Sequence, residues 1–368
     1  MKDRNKLFDK LKEEMVSEPK IYQLDSLLPL LRKDTGNKIH IIDFSEQPGA
    51  HYRGVFVRLI ERLENIGLKR GTIPISPETA ILVEPTTGNG GEDFVIAANK
   101  LGYEAVVVMP DGMPESRYHP MEKLGGTVIG TSKEDYALGM RAKLVELLNG
   151  NDKRLERGEK IFASPNHCGH EMSDITTCHM AGMIDQYMKE IEMPLDFAVF
   201  AMGNGSSLYG PGRRVKELFP KAKIYGIESV ASGLAFDKMY PGRYKELFGI
   251  HPAHPEMMKQ FKLYGTNAPL GVPLPAQDKS ISEGIVDEII LVSDDDVYLG
   301  ACRVGVSSEH QANLLYLTNW HQISRELINS CSFGNSSVAV IAASLEKLKN
   351  KENQNALCVV YDNREKYI

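Results

Sequence analysis

The chain has 368 residues, of which 42% are apolar and 25% charged, and its formal net charge is −6. This length indicates two domains or one large α/β unit with a deep core. The mild acidity does not favour nucleic-acid binding, and the apolar runs are too short to span a bilayer. The charged N-terminus lacks the apolar segment of a signal peptide. Five scattered cysteines favour a reduced, cytoplasmic protein.

Short apolar runs alternate with helical patterns along most of the chain. The predicted strands are, in order, Ile39–Phe44, Ile81–Glu84, Ala105–Met109, Thr127–Gly130, Phe197–Met202, Ile224–Glu228, Glu288–Val292 and Ala356–Tyr361. This alternation predicts right-handed β-α-β units in a parallel sheet, with ligands at the C-terminal ends of its strands. Residues 231–279 are richer in Pro, Tyr and Met and weakly periodic, and we expect an insertion there.

Three loops rich in Gly, Ser, Thr or Asn lie at the junctions between predicted elements. They are Thr86–Gly91, Gly203–Ser207 and Gly334–Ser337. A helix that starts after such a loop presents unpaired N–H groups, which suit an anion or a cofactor phosphate. In the second loop the next glycine comes only at Gly210, so the GxGxxG dinucleotide fingerprint is absent and an oxidoreductase is disfavoured. Together the three loops predict a bound cofactor.

The order of these loops resembles the tryptophan synthase β-like (fold type II) family of pyridoxal phosphate (PLP) enzymes, especially its cysteine synthase and cystathionine β-synthase branch. The family's EPTSGNTG corresponds to residues 84–91, its MP…S.R…LKALGA to 109–126, its phosphate-binding GTGGT to 203–207, its VEP to 227–229, its G.SSGAA to 334–339 and its closing VVVLPDSGERY to 358–367. The resemblance implies an α/β fold of two domains, each with a mostly parallel sheet flanked by helices. A smaller, mobile domain would span 43–169, and a larger one 1–42 and 170–368.

The resemblance also implies roles for individual residues. The cofactor would be bound by Asn89 at its ring, by Gly203, Asn204, Gly205, Ser206 and Ser207 at its phosphate, and by Ser336 or Ser337 at its pyridine nitrogen. The substrate carboxylate would be bound by Thr86, Thr87, Gly88 and Gly90, whose N–H and hydroxyl groups suit an anion. A hydroxyl at the ring nitrogen favours β-elimination and β-replacement over transamination. The implied enzyme is a PLP-dependent lyase or transferase acting on serine, cysteine or an O-activated serine.

The family's Schiff-base lysine is missing from this chain. Its NPTGSFKDR aligns with residues 45–53, where His51 takes the lysine position and Arg53 keeps the arginine. No lysine lies between Lys38 and Lys69, and an imidazole cannot replace the amine in covalent capture of the cofactor. The candidate catalytic positions are therefore His51 and, if the alignment shifts by one residue, Ala50.

Three interpretations of the missing lysine stay open. A deliberate replacement, as used to trap an adduct, would have put Ala50 where the lysine stood. Alternatively, the natural protein lacks the lysine and is a noncatalytic PLP or amino-acid binding relative that regulates a partner. Lastly, it holds PLP noncovalently and uses His51 as acid and base, for which the imidazole is suited.

Five residues between positions 167 and 179 look like metal ligands, namely His167, Cys168, His170, Cys178 and His179. They lack the second ligand pair of a zinc finger, so no metal site is predicted. In the family this stretch flanks the substrate. The expected partner is a small amino-acid substrate, without nucleic acid or membrane, and the family implies a homodimer.

Overall fold

The computed structural model describes residues 2–24, 35–69, 73–191, 194–253, 273–292, 303–305, 315–316, 327, 331–348 and 350–367. The chain divides into two units. The first unit comprises Met1–Glu18, Gln47–Thr176 and Lys366–Ile368, and the second comprises Pro19–Glu46 and Thr177–Glu365. No helix in the described ranges is long and apolar enough to cross a membrane.

The described strands and helices alternate over much of the chain, as expected. The strands are β1 (Lys20–Gln23), β2 (Lys38–Asp43), β3 (Ala80–Pro85), β4 (Ala105–Pro110), β5 (Thr127–Thr131), β6 (Ile161–Ala163), β7 (Phe197–Ala201), β8 (Lys223–Ser229), β9 (Glu288–Val292), β10 (Arg303–Gly305), β11 (Leu315–Tyr316) and β12 (Asn355–Val360). The helices are α1 (Lys2–Glu14), α2 (Val55–Lys69), α3 (Asn89–Lys100), α4 (Glu115–Lys123), α5 (Tyr136–Asn149), α6 (Asn151–Glu156), α7 (His170–Glu190), α8 (Ser206–Leu218), α9 (Leu234–Met239), α10 (Arg243–Phe248), α11 (Pro275–Ser282) and α12 (Asn335–Leu348).

Each unit contains one sheet. In the first unit the order is β5-β4-β3-β6, with all pairs parallel. In the second it is β1-β2-β12-β7-β8-β9-β10-β11. There β2, β12, β7, β8 and β9 pair in parallel, whereas β1, β10 and β11 pair antiparallel. The predicted α/β class with mostly parallel sheets is therefore confirmed.

Burial explains why the central strands were visible in the sequence. Every residue of β4, β7 and β12 is buried, as expected for parallel strands covered on both faces. Such strands read as unbroken apolar runs. Parallel strands also end at one edge of their sheet, so the loops after β3 and β6 share an edge in the first unit. The loops after β7 and β12 do so in the second.

The observed units differ at their ends from the predicted division into 43–169 and the remainder. Helix α1 belongs to the first unit because its apolar face, including Phe8 and Leu11, is buried and it packs against α2. Arg4 of α1 also pairs with Glu64 of α2 at 2.6 Å. Of the predicted insertion, residues 254–272 lie outside the described residues, and the rest holds α9, α10 and the start of α11.

Candidate functional site

In the first unit, residues 49–52 of the stretch that aligns with the family's lysine motif form a tight turn. Gly49 and Ala50 have φ angles of 74° and 48°, and the Tyr52 N–H donates to the Gly49 carbonyl at 2.9 Å. A left-handed conformation costs an alanine about 1–2 kcal/mol relative to glycine. The Ala50 side chain is only 2% exposed, whereas His51 is half-buried. The two candidate lysine positions thus differ in burial and in backbone strain.

A buried carboxylate holds this turn at the start of α2. Asp93 accepts hydrogen bonds from the Gly54 N–H at 2.8 Å and the Phe56 N–H at 3.0 Å, so it satisfies donors that a helix start leaves without partners. A Cβ added at Gly49 would lie 2.8 Å from the Asp93 Cβ, which shows how closely the turn packs on α3. Burial raises the pKa of Asp93 to about 7, while the two backbone donors and Arg53 act in the opposite direction.

Asp93 is expected to make stability pH-dependent. Because its pKa is about 7 in the folded protein, against the ordinary 3.8, the folded state binds its proton more tightly than the unfolded state. The resulting stabilisation is present at low pH and is lost as the pH rises from about 4 to about 7. Between pH 5 and pH 7.5 the melting temperature of Asp93→Asn should therefore fall less than that of the parent protein. Calorimetry at fixed ionic strength measures both.

The matched control is Asp152→Asn, at an exposed position on α6 of the same unit. It should leave the pH dependence as in the parent protein. The charged residues around Asp93 are Arg53, Arg58 and Glu92. An unchanged pH dependence in Asp93→Asn would contradict the assignment to this carboxyl group.

The predicted carboxylate-binding loop follows β3 and is closely packed. The Gly88 N–H donates to Thr86 Oγ1 at 3.3 Å, so this hydroxyl helps to shape the loop itself. A Cβ added at Gly90 would lie 3.5 Å from the Tyr52 ring, and one added at Gly88 would overlap the Arg117 guanidinium. A side chain at position 88 would therefore displace the Arg117 guanidinium. Thr87 remains half-buried at its tip.

Arg117 connects this loop to residues far along the chain. It is 4% exposed, and its Nε donates to the Lys366 carbonyl at 2.5 Å. Its guanidinium lies 4.3 Å from the centroid of the Tyr367 ring, in cation–π contact. Lys366 in turn pairs with Glu92 at 2.7 Å. Residues 366–367 are thus packed behind the loop within the first unit.

A second group of polar residues lies where β3 and β6 end. Glu84 is fully buried and accepts from the backbone N–H groups of Asn166 at 2.8 Å and His167 at 3.1 Å. The same carboxylate lies 2.5 Å from His167 Nδ1, and His167 Nε2 lies 3.2 Å from Cys168 Sγ. The His167 ring meets the Tyr52 ring edge-on at 5.5 Å. Among the described residues, no three His, Cys, Asp or Glu side chains are grouped to hold a metal ion.

In the second unit, the predicted phosphate loop lies at the start of α8. Gly205 has a φ of 88° and precedes the helix, and the Ser206 N–H donates to Asn204 Oδ1 at 2.9 Å. The loop is supported from behind by the fully buried Gln277. Gln277 Nε2 donates to the Gly203 carbonyl at 2.9 Å. The helix start, the glycines and the serine hydroxyls provide donors of the kind that bind phosphate.

The two serines at the start of α12 have different surroundings. Ser337 Oγ accepts from the Tyr361 N–H at 3.0 Å, and the Tyr361 hydroxyl accepts from the Ala201 N–H at 2.9 Å. Ser207 Oγ donates to the Ala201 carbonyl at 2.9 Å, so the phosphate loop and α12 are joined through Tyr361. Ser336 is 2% exposed, and its Oγ has no hydrogen-bond partner among the described residues. A buried hydroxyl of this kind calls for a ligand atom.

These features fit PLP in part. The Ser336 hydroxyl suits the pyridine nitrogen, and the start of α8 suits the phosphate. The covalent attachment does not fit, because no lysine lies between Lys38 and Lys69. The first unit carries Ala50, His51, Thr86, Thr87, Gly88, Asn89 and Gly90, and the second unit carries Gly203, Asn204, Gly205, Ser206, Ser207, Ser336 and Ser337.

Sequence reasoning did not assign the residues that support these loops, which are Asp93, Arg117, Gln277 and Tyr361. Glu84 had a visible signal in the sequence, since burying a carboxylate at the end of an apolar strand costs free energy unless the carboxylate is hydrogen-bonded. Gln277 had none, because it lies in a weakly patterned segment. The chain is thus an α/β protein of two units, with a loop of glycines and serines at the start of α8 in the second unit.

A family model described as pyridoxal-phosphate dependent enzyme matches residues 29–309, well over half of the chain. The chain therefore belongs to the family of pyridoxal-phosphate dependent enzymes. A probable cysteine synthase of Bacillus subtilis is 28% identical over 253 residues, which are 68% of each chain. The cystathionine beta-synthase of Mus musculus is 26% identical over 209 residues, which are 56% of this chain and 35% of that relative. The chain thus matches only about a third of the length of that relative.

Solved structures show the same fold. A hydrogen sulfide-producing enzyme from Fusobacterium nucleatum has a TM-score of 0.68 at 22% identity, covering 97% of this chain and 99% of that one. An O-acetylserine dependent cystathionine beta-synthase from Helicobacter pylori has a TM-score of 0.66 at 19% identity, covering 97% and 96%. The predicted family, fold type II architecture and PLP cofactor are confirmed. The prediction of a PLP-dependent lyase or transferase is confirmed at the level of the family.

Proposed function

We propose that this protein catalyses β-elimination or β-replacement on a small amino acid, such as serine, cysteine or an O-activated serine. The observation that carries the proposal is Ser336, a buried hydroxyl without a partner among the described residues. Such a neutral group at the pyridine nitrogen favours this reaction class over transamination. The names of the relatives, cysteine synthase and cystathionine beta-synthase, agree with it.

The residues of each unit have proposed roles of their own. When bound, PLP supplies an electron sink for the bond broken at the amino-acid α-carbon. The second unit would hold the phosphate with residues 203–207 and the ring nitrogen with Ser336. The first unit would bind the substrate carboxylate at Thr87 and Gly90, in the loop that Tyr52 and Arg117 pack against. Asn89, at the first residue of α3, would contact the ring.

We assign the acid and base role to His51, the residue at the family's lysine position. Ala50 is buried and has a positive φ, so a longer side chain there would meet both steric and backbone strain. His51 is half-buried, and its ring lies 4.6 Å from that of Tyr52. An imidazole can accept and return a proton near neutral pH without a covalent bond to the cofactor.

A second candidate is a noncatalytic PLP or amino-acid binder that regulates a partner. The absence of a lysine in residues 45–53 favours it. The first candidate predicts both cofactor binding and turnover, whereas the second predicts binding of PLP or an amino acid without turnover. Two further proposals accompany either candidate, namely a cytoplasmic location and a homodimer. The four described cysteines are all free of disulfides, which supports a cytoplasmic location. Light scattering would test whether the protein is a homodimer.

A visible absorption titration with PLP tests the proposal. The parent, Ala50→Lys, His51→Lys and Ser336→Ala proteins are compared, with release of pyruvate from O-acetylserine as the activity readout. We expect saturable binding by the parent, the yellow colour of lysine-bound cofactor in His51→Lys, and weaker binding in Ser336→Ala. Ala50→Lys should melt at a lower temperature.

The matched control is Ser280→Ala, which removes another buried hydroxyl of the second unit, one that donates to the Ala276 carbonyl. It should leave PLP affinity unchanged. Binding without turnover in the parent would select the regulatory candidate. Failure of the parent and both lysine variants to bind PLP would refute the catalytic candidate and leave an amino-acid binder that regulates a partner.

A further inference from the structure

The first unit contains a nucleophile, a base and an orienting carboxylate in direct contact, and the proposed function uses none of them. Cys168 Sγ lies 3.2 Å from His167 Nε2, and His167 Nδ1 lies 2.5 Å from Glu84 Oε1. This order of thiol, imidazole and carboxylate is the arrangement that activates a nucleophilic cysteine. All three residues lie at the ends of the neighbouring strands β3 and β6.

The imidazole is fixed in this orientation. Glu84 is fully buried and is itself anchored by the Asn166 N–H. The His167 ring packs edge-on against Tyr52 at 5.5 Å and Phe56 at 5.6 Å. His167 therefore directs one ring nitrogen to the carboxylate and the other to the sulfur.

The charges around His167 favour its protonated form. Burial alone lowers the pKa of His167, but Cys168, Tyr52 and Glu84 outweigh burial and raise that pKa well above its usual value. These three titratable groups face the ring. Cys168 lies in the loop after β6, Tyr52 in the turn before α2, and Glu84 in β3. An imidazolium in contact with a thiol stabilises the thiolate, which is the reactive form of cysteine.

We propose that Cys168 is a modification site for hydrogen peroxide, activated by His167 and Glu84. The Cys168 thiolate attacks one oxygen of the peroxide, the O–O bond breaks, and the sulfur is oxidised to a sulfenic acid. The hydroxide that leaves takes the proton of the His167 imidazolium and departs as water. Cys168 is half-buried, so a molecule as small as hydrogen peroxide can reach it. The proposal is independent of PLP and of the proposed reaction.

Cysteine-resolved mass spectrometry of the whole protein tests this proposal. The protein is treated with hydrogen peroxide plus dimedone, which traps sulfenic acids, and separately with iodoacetamide between pH 5.5 and 9. Cys178 is exposed and serves as the internal standard. We expect Cys168 to be trapped at least tenfold faster than Cys178 by peroxide. Its alkylation should persist at pH 6, where ordinary thiols react slowly.

Two variants assign the effect. His167→Phe keeps an aromatic ring against Tyr52 and Phe56 but removes the base, and Cys168 trapping should fall at least tenfold. Glu84→Gln should lower the rate of Cys168 trapping by a smaller factor than His167→Phe. The rate of Cys178 trapping should be unchanged in both variants. The matched control is His119→Phe, because His119 is an exposed histidine of the same unit, and it should have no effect.

Trapping of Cys168 no faster than Cys178 in the parent protein would overturn the proposal. So would an unchanged Cys168 rate in folded His167→Phe. If His167→Phe does not fold, as judged by circular dichroism, the parent protein decides alone. Alkylation of Cys168 that falls with pH in parallel with Cys178 then refutes activation, and alkylation that persists at pH 6 supports it.

Discussion

Gly205→Ala is expected to destabilise the second unit by about 2–5 kcal/mol and to abolish PLP binding. The left-handed φ of 88° strains any residue with a Cβ. In addition, the new Cβ would overlap the Gln277 backbone nitrogen and lie 2.8 Å from the Ala276 carbonyl carbon. Because both neighbours are backbone atoms, the clash would shift the phosphate loop or α11. Urea unfolding and PLP titration measure the two effects.

Gly242→Ala is the matched control. Gly242 belongs to the same unit and has a φ of 80°, but a Cβ there meets no atom within 4 Å. We expect only the backbone strain, about 1–2 kcal/mol, and unchanged PLP affinity. Equal losses of stability in the two variants would show that contact with α11 does not constrain the phosphate loop.

Glu84→Ala is expected to destabilise the first unit by about 3–5 kcal/mol, the range for breaking a buried charged interaction. The substitution leaves the buried His167 N–H without its acceptor, now at 3.1 Å. The Asn166 N–H, now 2.8 Å from Glu84, keeps only Ser164 Oγ as acceptor. It also removes the partner of His167 Nδ1. The loop after β6 should then become mobile, which hydrogen exchange of residues 164–169 would detect. Urea unfolding should show a lower denaturation midpoint.

Glu104→Ala, at the residue directly before β4 in the same unit, is the corresponding control. Glu104 is 63% exposed and pairs with Lys160 at 2.6 Å, and such surface pairs contribute little to stability. Its midpoint should stay close to that of the parent protein. A loss as large as that of Glu84→Ala would mean that burial of the Glu84 carboxylate is not the cause.

The sequence predicted the central strands because buried parallel strands are apolar throughout, as in Ile81–Val83. It did not predict β1, four residues with exposed or half-buried side chains at the sheet edge, or β6, only three residues long. Neither is long enough to show a period. The packing of helix α1 was not visible in the sequence either, since its partner Glu64 is distant along the chain.

The candidate site was predicted in its loops but not in its hydrogen bonds. The repeated serines at 336 and 337 gave no means of choosing between them. The structure distinguishes them because Ser337 bonds to Tyr361, 24 residues away. In the same way, nothing local indicated that Ala50 has a positive φ, since alanine has no preference for that conformation. Contacts between distant segments determine both features, and a motif does not encode them.

Residues 366–367 have a consequence for protein synthesis. Arg117 donates a hydrogen bond to Lys366, 249 positions further along the chain. When the sheet of the first unit has been translated, Lys366 has not yet been synthesised, so the unit still lacks this contact. At about 5–20 residues per second, a ribosome needs roughly 10–50 s to travel from one residue to the other. During that interval the loop beside Gly88 lacks its backing. A nascent chain should therefore depend on chaperones at this stage, and a ribosome stalled before Lys366 should display a first unit that proteases cleave easily.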